Sequence, residues 1–309
     1  MTKKKNNRVG PWAKEKLDAL GQYLGFYTTV LKNQGHWLRG TTFVDAFAGP
    51  GLSQIRTKTK DVSEPGLFAA DTESEKEEIE YLKGSPRVAL DIKNPFSFYI
   101  FIDNDPQRVA ELTALRAEYA TTRRIDVQAG DANSALEAWL SSDIDWSHQR
   151  AVVFLDPFGM QVPWSTIQAL AKTKAIEIII NFPLGMAIQR LLKRSGDIPE
   201  GWQISLDTFF GSPDWRKLAY ENGTDLFGPR KSKASDAAER LLRWYRERLS
   251  AIFGHVSSAR LIKNTRANPL YYLIWAGPHK KGLEGANYIL GKERVLTLPR
   301  AKRIEKKGQ

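Results

Sequence analysis

Thr41-Thr42-Phe43-Val44-Asp45-Ala46-Phe47-Ala48-Gly49-Pro50-Gly51 is the stretch on which the fold turns. A short β-branched and aromatic run ends on a carboxylate and opens onto two glycines, the pattern of a buried strand feeding a tight loop. The pattern recurs downstream at Phe98–Asp103, Ile125–Ala129, 151–156 and 175–181, with helical spacing near 106–120, 133–142, 164–173 and 184–194 between the runs. Strands alternating with helices imply right-handed crossovers and a parallel sheet covered on both faces. The fold class is therefore α/β, doubly wound, with a mainly parallel sheet. Residues 256–263 and 270–277 flank Asn268-Pro269 and predict an antiparallel strand pair that closes the sheet.

Upstream, Leu17, Leu20, Leu24, Tyr27 and Leu31 recur at helical spacing after Pro11, which predicts a leading amphipathic helix. Within 52–95, Glu73-Ser74-Glu75-Lys76-Glu77-Glu78-Ile79-Glu80 reads as the solvated face of a helix in a long first crossover. Residues 195–254 carry Phe209-Phe210-Gly211, Trp215 and a helix with Leu241, Leu242, Tyr245, Leu249 and Ile252 on one face. They read as a helical insertion. The expected organisation is a basic arm and helix over 1–36, a Rossmann-like core over 37–194 and 255–299, the insertion over 195–254, and a basic tail over 300–309.

With 309 residues, 42% hydrophobic and 26% charged, the chain has the balance of a globular protein, so disorder and fibrous structure are excluded. The absence of cysteine removes disulfides, thiolate nucleophiles and thiolate metal sites. His36, His148, His255 and His279 are scattered without ligand spacing, so no metal is expected. No run of about 18 apolar residues is present and the basic start is not followed by an apolar stretch, so neither a membrane span nor a secretory signal is expected and the location is cytoplasmic. The net charge of +11 is unevenly spread: residues 11–183 hold 18 basic against 23 acidic side chains, whereas residues 184–266 hold 15 against 9 and each ten-residue tail adds +4. A polyanion laid against the second half and the tails, nucleic acid above all, is the partner this asymmetry suggests. Solvated helix faces and frayed basic ends are the plain alternative.

In an open parallel sheet, ligands bind at the carboxyl ends of the strands. The first end offers Asp45, Phe47, Gly49 and Gly51 to a cofactor, with Asp45 available for a cation; G-x-G-x-x-G is absent, because Gln54 stands where the third glycine would. The second offers Asp103 to the hydroxyls of a ribose, while Asp105-Pro106 reads as a helix cap. At the third, Asp131 and Ala132 can meet an adenine amine, and capping the next helix serves Asp131 equally well. Acidic acceptors for an adenosine without any phosphate-gripping loop favour S-adenosylmethionine, a sulfonium without phosphate. The fourth end, Val152-Val153-Phe154-Leu155-Asp156-Pro157-Phe158-Gly159, carries the chemistry. The Asp156 carboxylate and Pro157 carbonyl can bond the hydrogens of a nucleobase amine and aim its lone pair, and Phe158 can stack on the base. Asn181, ending the adjacent strand, can line the same pocket; Phe182 suits either pocket or core. Trp202, Trp215, Trp244 and Trp275 read as core.

With those residues in view, the chain resembles the three-Cys-motif partner protein family over nearly its whole length. The resemblance is carried by Trp12 and Lys16, the 43–51 loop, Phe101-Ile102-Asp103, Gly130-Asp131-Ala132-Asn133, Phe154 to Gly159, Asn181-Phe182-Pro183, Phe209-Phe210-Gly211 with Trp215, and Tyr271 to Ala276. It implies a Rossmann-like methyltransferase fold, S-adenosylmethionine as cofactor and a three-cysteine partner protein. Asp156-Pro157-Phe158-Gly159 also looks like the motif of tRNA guanine-N2 dimethyltransferases; adenine-N6 enzymes carry a second proline where Phe158 stands. The function expected is methyl transfer to an exocyclic amine of a nucleobase in RNA or DNA. A methyltransferase for a partner protein or peptide and a non-catalytic scaffold are the alternatives.

Overall fold

The computed structural model describes residues 8–9, 12–49, 52–59, 76–225, 228–264 and 267–291. In chain order the elements are β1 (Arg8–Val9), α1 (Trp12–Leu31), β2 (Gly40–Asp45), β3 (Leu52–Thr59), β4 (Lys76–Lys83), α2 (Ser85–Leu90), β5 (Phe98–Asp103), α3 (Pro106–Glu118), β6 (Ile125–Ala129), α4 (Ala132–Leu140), β7 (Gln149–Leu155), α5 (Trp164–Lys172) and β8 (Ile176–Phe182). A π-helical turn (Leu184–Ile188) and a single turn α6 (Gln189–Leu191) follow. The remainder is α7 (Glu200–Phe210), α8 (Trp215–Ala219), β9 (Tyr220–Asp225), β10 (Gly228–Lys233), α9 (Ala237–Phe253), β11 (His255–Val256), β12 (Arg260–Lys263), β13 (Pro269–Gly277) and α10 (Lys280–Leu290).

The central sheet runs β11-β13-β8-β7-β2-β5-β6, with β12 also paired to β13. Strands β8, β7, β2, β5 and β6 are mutually parallel; β13 is antiparallel to β8, and β11 and β12 are antiparallel to β13. The chain steps outward from β2 through β5 to β6, then returns to β7 on the other side of β2. That reversal opens a crevice at the carboxyl ends of β2 and its neighbours, where doubly wound sheets bind ligands. The α/β class, the parallel sheet and the closing antiparallel pair all stand as the sequence predicts.

Alternation along each strand divides the core between two faces. Val44, Ile100, Ile102, Val153, Leu155, Ile178, Ile180 and Phe182 pack under α4, α5, α7 and α9. Their neighbours Phe43, Tyr99, Phe101, Val152, Phe154 and Ile179 pack under α1, α2 and α10. Both faces being covered, Ile176–Phe182 is buried at every position. Phe182 belongs to the core, its ring 4.8 Å from that of Tyr245 and 5.8 Å from that of Phe209.

Several expectations are corrected. Residues 76–83 form strand β4 rather than a helix face, paired antiparallel to β3 with Glu77 opposite Lys58 and Glu80 opposite Ile55; residues 73–75 lie outside the described residues. The segment expected as a helix over 184–194 is a π-helical turn and one α turn ending at Leu191. Gly185 sits so close to β13 that a Cβ there would lie 2.1 Å from the Pro269 carbonyl oxygen, so the backbone bends to fit that approach. Beta-hairpin β9–β10 joins the helices of 200–253. Trp215 and Trp275 are fully buried and Trp244 half-buried, but Trp202 is 39% exposed.

At the amino end of β8, Glu177 is buried among the Tyr23 hydroxyl and the Trp275 indole N–H, both of which donate to its Oε2, the latter at 3.2 Å. Burial, only partly offset by these donors and by Arg150, pushes its pKa up to about 7. A carboxyl that is harder to ionise when folded contributes stability below its ordinary pKa of 4.5 and loses it as pH rises toward 7. Glu177→Gln, which keeps an acceptor in place, is expected to be more stable than the wild type at pH 8 by roughly 3 kcal/mol, converging with it near pH 4. Urea melts across that range check this, and parallel curves for the two proteins would refute it.

Candidate functional site

The loop after β2 is stitched across the strand ends on either side. Ala46 N–H donates to the Phe154 carbonyl at 3.1 Å, and Ala48 N–H to the Ile102 carbonyl at 2.9 Å. Gly49 N–H donates to Asp103 Oδ2 at 3.0 Å, and Gly130 N–H to the Asp103 carbonyl at 3.0 Å. Gly49 holds φ +60°, in the left-handed region that favours glycine, and a Cβ there would meet nothing within 4 Å. The loop thus presents open backbone to the crevice. Phe47 is half-buried against the core; Gly51 lies outside the described residues.

Asp45, Asp103, Asp131 and Asp156 all stand at the same end of the sheet, at or just beyond the carboxyl ends of β2, β5, β6 and β7. Asp45 is fully buried; the Ser85 hydroxyl and the Phe47 N–H lie beside its carboxylate, but neither of its oxygens completes a well-aligned hydrogen bond among the described residues. Burial pushes its pKa up to about 7; the Ser85 hydroxyl, the Phe47 N–H and Lys16 only partly offset that rise, and the charge of Asp156 adds to it. Asp103, expected to turn both oxygens to a ribose, already uses them on backbone: Oδ2 takes Gly49 N–H and Oδ1 takes Asp105 N–H at 2.8 Å, with the Arg108 guanidinium 3.5 Å away. It fixes the loop. Asp105 caps α3 through Gln107 N–H at 2.8 Å, and Asp131 caps α4 through Ser134 N–H at 2.9 Å, each by the local rule read from sequence. Ala132, the first residue of α4, is buried at 5% exposure.

The fourth strand end differs most from expectation. Asp156, expected to accept from the substrate amine and orient it, already accepts at Oδ1 from Asn181 Nδ2 at 2.8 Å, and its Oδ2 is paired with the Lys16 ammonium. Lys16 comes from α1, and its Nζ lies 5.6 Å from the centroid of the Tyr271 ring on β13. Asn181 in turn is buried at 6% exposure and leaves its Oδ1 without a partner among the described residues. Two elements distant in sequence, α1 and β8, therefore hold one carboxylate in a fixed direction, and sequence spacing gives no sign of the lysine's part in it. Burial, then the charges of Asp156 and Glu15, drives the Tyr271 phenol far above its ordinary range. Pro157 is buried, while Phe158 is 85% exposed at the tip of a turn locked by its own N–H on Gln161 Oε1 at 3.0 Å and by Gly159 at φ +88°. A phenyl ring set in solvent on a backbone-locked turn is placed unlike a core residue and suits contact with a flat partner.

No family model matches the chain, and no curated protein matches it. Among solved structures it is similar to a Legionella pneumophila protein of family DUF519, at 14% identity and TM-score 0.43, covering 88% of this chain and 92% of that one. It is also similar to the candidate methyltransferase yhhF from Escherichia coli, at 11% identity and TM-score 0.32, covering 82% and 86%. A candidate S-adenosylmethionine-dependent methyltransferase from Listeria monocytogenes overlaps at 10% identity and TM-score 0.31, covering 83% and 99%. Likeness at this level decides neither substrate nor chemistry; the fold rests on the strand order above.

Among the described residues no group of three or more His, Asp and Glu side chains is arranged to hold a metal, and no helix is long and apolar enough to cross a membrane. What the crevice does hold is acceptors. Asp45 contributes a fully buried carboxyl beneath the loop and Asn181 a buried amide oxygen, while Gly49 leaves open space above them. A buried acceptor without a donor is costly to maintain unless a ligand supplies the hydrogens. The group that fits is rich in N–H donors and carries positive charge.

Proposed function

We propose that the crevice binds S-adenosylmethionine and that the chain transfers a methyl group to an exocyclic amine of a nucleobase in RNA or DNA. The observation that carries this reading is Asp45: a fully buried carboxylate at the mouth of the central strand, neither of whose oxygens completes a well-aligned hydrogen bond among the described residues. An ammonium there supplies the missing donors and the charge that burial otherwise disfavours. Asp103, pinned by Gly49 and Asp105, keeps lone pairs for ribose hydroxyls, and Asp131 keeps its second oxygen beyond the cap for an adenine amine. Phe47, Ala132 and Gly49 complete the cofactor's surroundings.

S-adenosylmethionine, when bound, supplies a methyl carbon activated by a sulfonium. The chain's own part is to aim the acceptor. Asp156, held by Lys16 and Asn181, and the carbonyl of Pro157 accept the hydrogens of the amine, so that its lone pair is directed rather than spread into the ring. Asn181 Oδ1 adds an acceptor within the same cluster, and Phe158 offers a face to the base. The resemblance to the three-Cys-motif partner family adds a partner protein bearing three cysteines, and the basic excess over residues 184–266 supports a polyanionic substrate met in the cytoplasm.

Calorimetry with S-adenosylmethionine, followed by transfer of labelled methyl groups into cellular RNA, DNA and protein fractions, tests this reading. Cofactor binding with label in a nucleic-acid fraction is the expected result. Label in protein alone would replace the acceptor with the partner protein, and binding without label in any fraction would leave a scaffold.

A further inference from the structure

Many of the cations in the second half of the chain already have partners on this chain. Arg216, Arg240, Arg243 and Arg260 pair with Asp207, Asp236, Glu239 and Glu15, while Arg246 and Arg248 donate to the Ser257 and Phe210 carbonyls. Such groups are unavailable to a polyanion. Arg190, Lys193, Arg194 and Lys233, in contrast, have no carboxylate partner among the described residues. Arg190, Lys193 and Arg194 lie on the chain that leaves the carboxyl end of β8, and Lys233 ends β10. Asp197 and Glu200 are the acidic residues of the same stretch, so cations remain in excess.

These cations are continuous with the site. A Cβ on Gly159 would stand 4.0 Å from that of Ala187, which brings the Phe158 turn against the π-helical turn. Beyond it, the Lys233 ammonium donates to the Gln189 carbonyl at 3.4 Å and the Lys233 N–H to the Arg194 carbonyl at 3.1 Å. Burial and then the charge of Arg194 draw the Lys233 pKa down, as expected of neighbouring cations that lack a counter-charge. Next to them the Lys193 ammonium lies 5.5 Å from the centroid of the Trp202 ring, which is 39% exposed against the expectation that it is core.

We propose that the strip from Phe158 through the π-helical turn to Lys193, Arg194, Lys233 and Trp202 is a track for single-stranded nucleic acid. The cations meet successive phosphates, and the two exposed rings meet unstacked bases. A duplex presents phosphates but hides its base faces, and an acidic peptide lacks flat rings to stack; only a single strand uses both halves of the strip. The proposal rests on the methyl-transfer reading for its purpose and deepens it by naming the form in which the acceptor arrives.

The test is fluorescence anisotropy of the full chain, without cofactor, against a labelled oligonucleotide of about 16 nucleotides, its duplex and a polyglutamate of matched charge. The single strand is expected to bind tightest. In Lys193→Ala/Arg194→Ala the slope of log affinity against log salt should become shallower by about 1.4, or 0.7 for each cation removed. Trp202→Ala, at a surface position, should weaken the single strand roughly tenfold and the duplex little. An unchanged slope in the double variant, or a duplex or polyglutamate bound as tightly as the single strand, would overturn the proposal. Calorimetry with S-adenosylmethionine on the unaltered protein reads the crevice separately: cofactor binding without preference for the single strand sinks the track alone, and single-strand preference without cofactor binding sinks the methyl-transfer reading alone.

Discussion

Asp45→Asn is expected to make the free protein more stable at pH 8 by up to about 4 kcal/mol while weakening S-adenosylmethionine at least tenfold. Both effects come from one buried carboxylate. Its folded pKa near 7 lies above the ordinary 3.8, so the folded state binds the extra proton in between, and stability present below 3.8 is lost as pH rises toward 7. An amide of the same shape has no such loss. A cationic ligand, however, needs the ionised form, so wild-type affinity should rise about tenfold per unit of pH below 7 and level off above it, whereas the variant's should stay flat. Urea melts and calorimetry between pH 5 and 8 give both curves. A variant that binds the cofactor with the wild-type pH profile removes Asp45 from the site.

Asp156→Ala is expected to lower methyl transfer by about a thousandfold with the cofactor dissociation constant nearly unchanged. The carboxylate is held from two sides, by Lys16 and by Asn181, and its value to the reaction lies in that fixed direction. Lys16→Met separates direction from presence. The carboxylate remains but loses its tether, so turnover should fall by a smaller factor, about tenfold, at unchanged cofactor affinity. Equal losses in the two variants would mean that Lys16 itself touches the acceptor, and no loss in Asp156→Ala would end its assignment.

The frame of the sheet was legible because each strand is an apolar β-rich run closed by a residue that stops it. Phe98–Asp103 ends on Asp103, and Asp105-Pro106 starts the next helix by capping chemistry that acts over three residues. Local rules reach that far. They failed at 76–83, where a glutamate-rich run with helical propensity is drawn into register with β3, since pairing between strands overrides a weak local preference. They failed again at Leu184–Ile188, whose shape answers to the Pro269 carbonyl some eighty residues away in the chain. Of the candidate site, the acids at the strand ends could be read directly, because the carboxyl end of a parallel strand is a place that sequence identifies. The partners of those acids could not. Asp103 turned out to brace a loop and Asp156 to be held by α1, and neither contact leaves a mark on spacing.

Lys16 and Asp156 are 140 positions apart, and their pairing ties the first helix to the fourth strand of the parallel sheet. During synthesis α1 is complete long before its carboxylate partner has been translated, and such long-range closure is slow compared with helix formation. The Asp156 cluster therefore closes only after β7 and β8 have been made, since Lys16 waits for Asp156 and Asp156 for Asn181. A chain that holds α1 without those strands has no oriented carboxylate at this strand end.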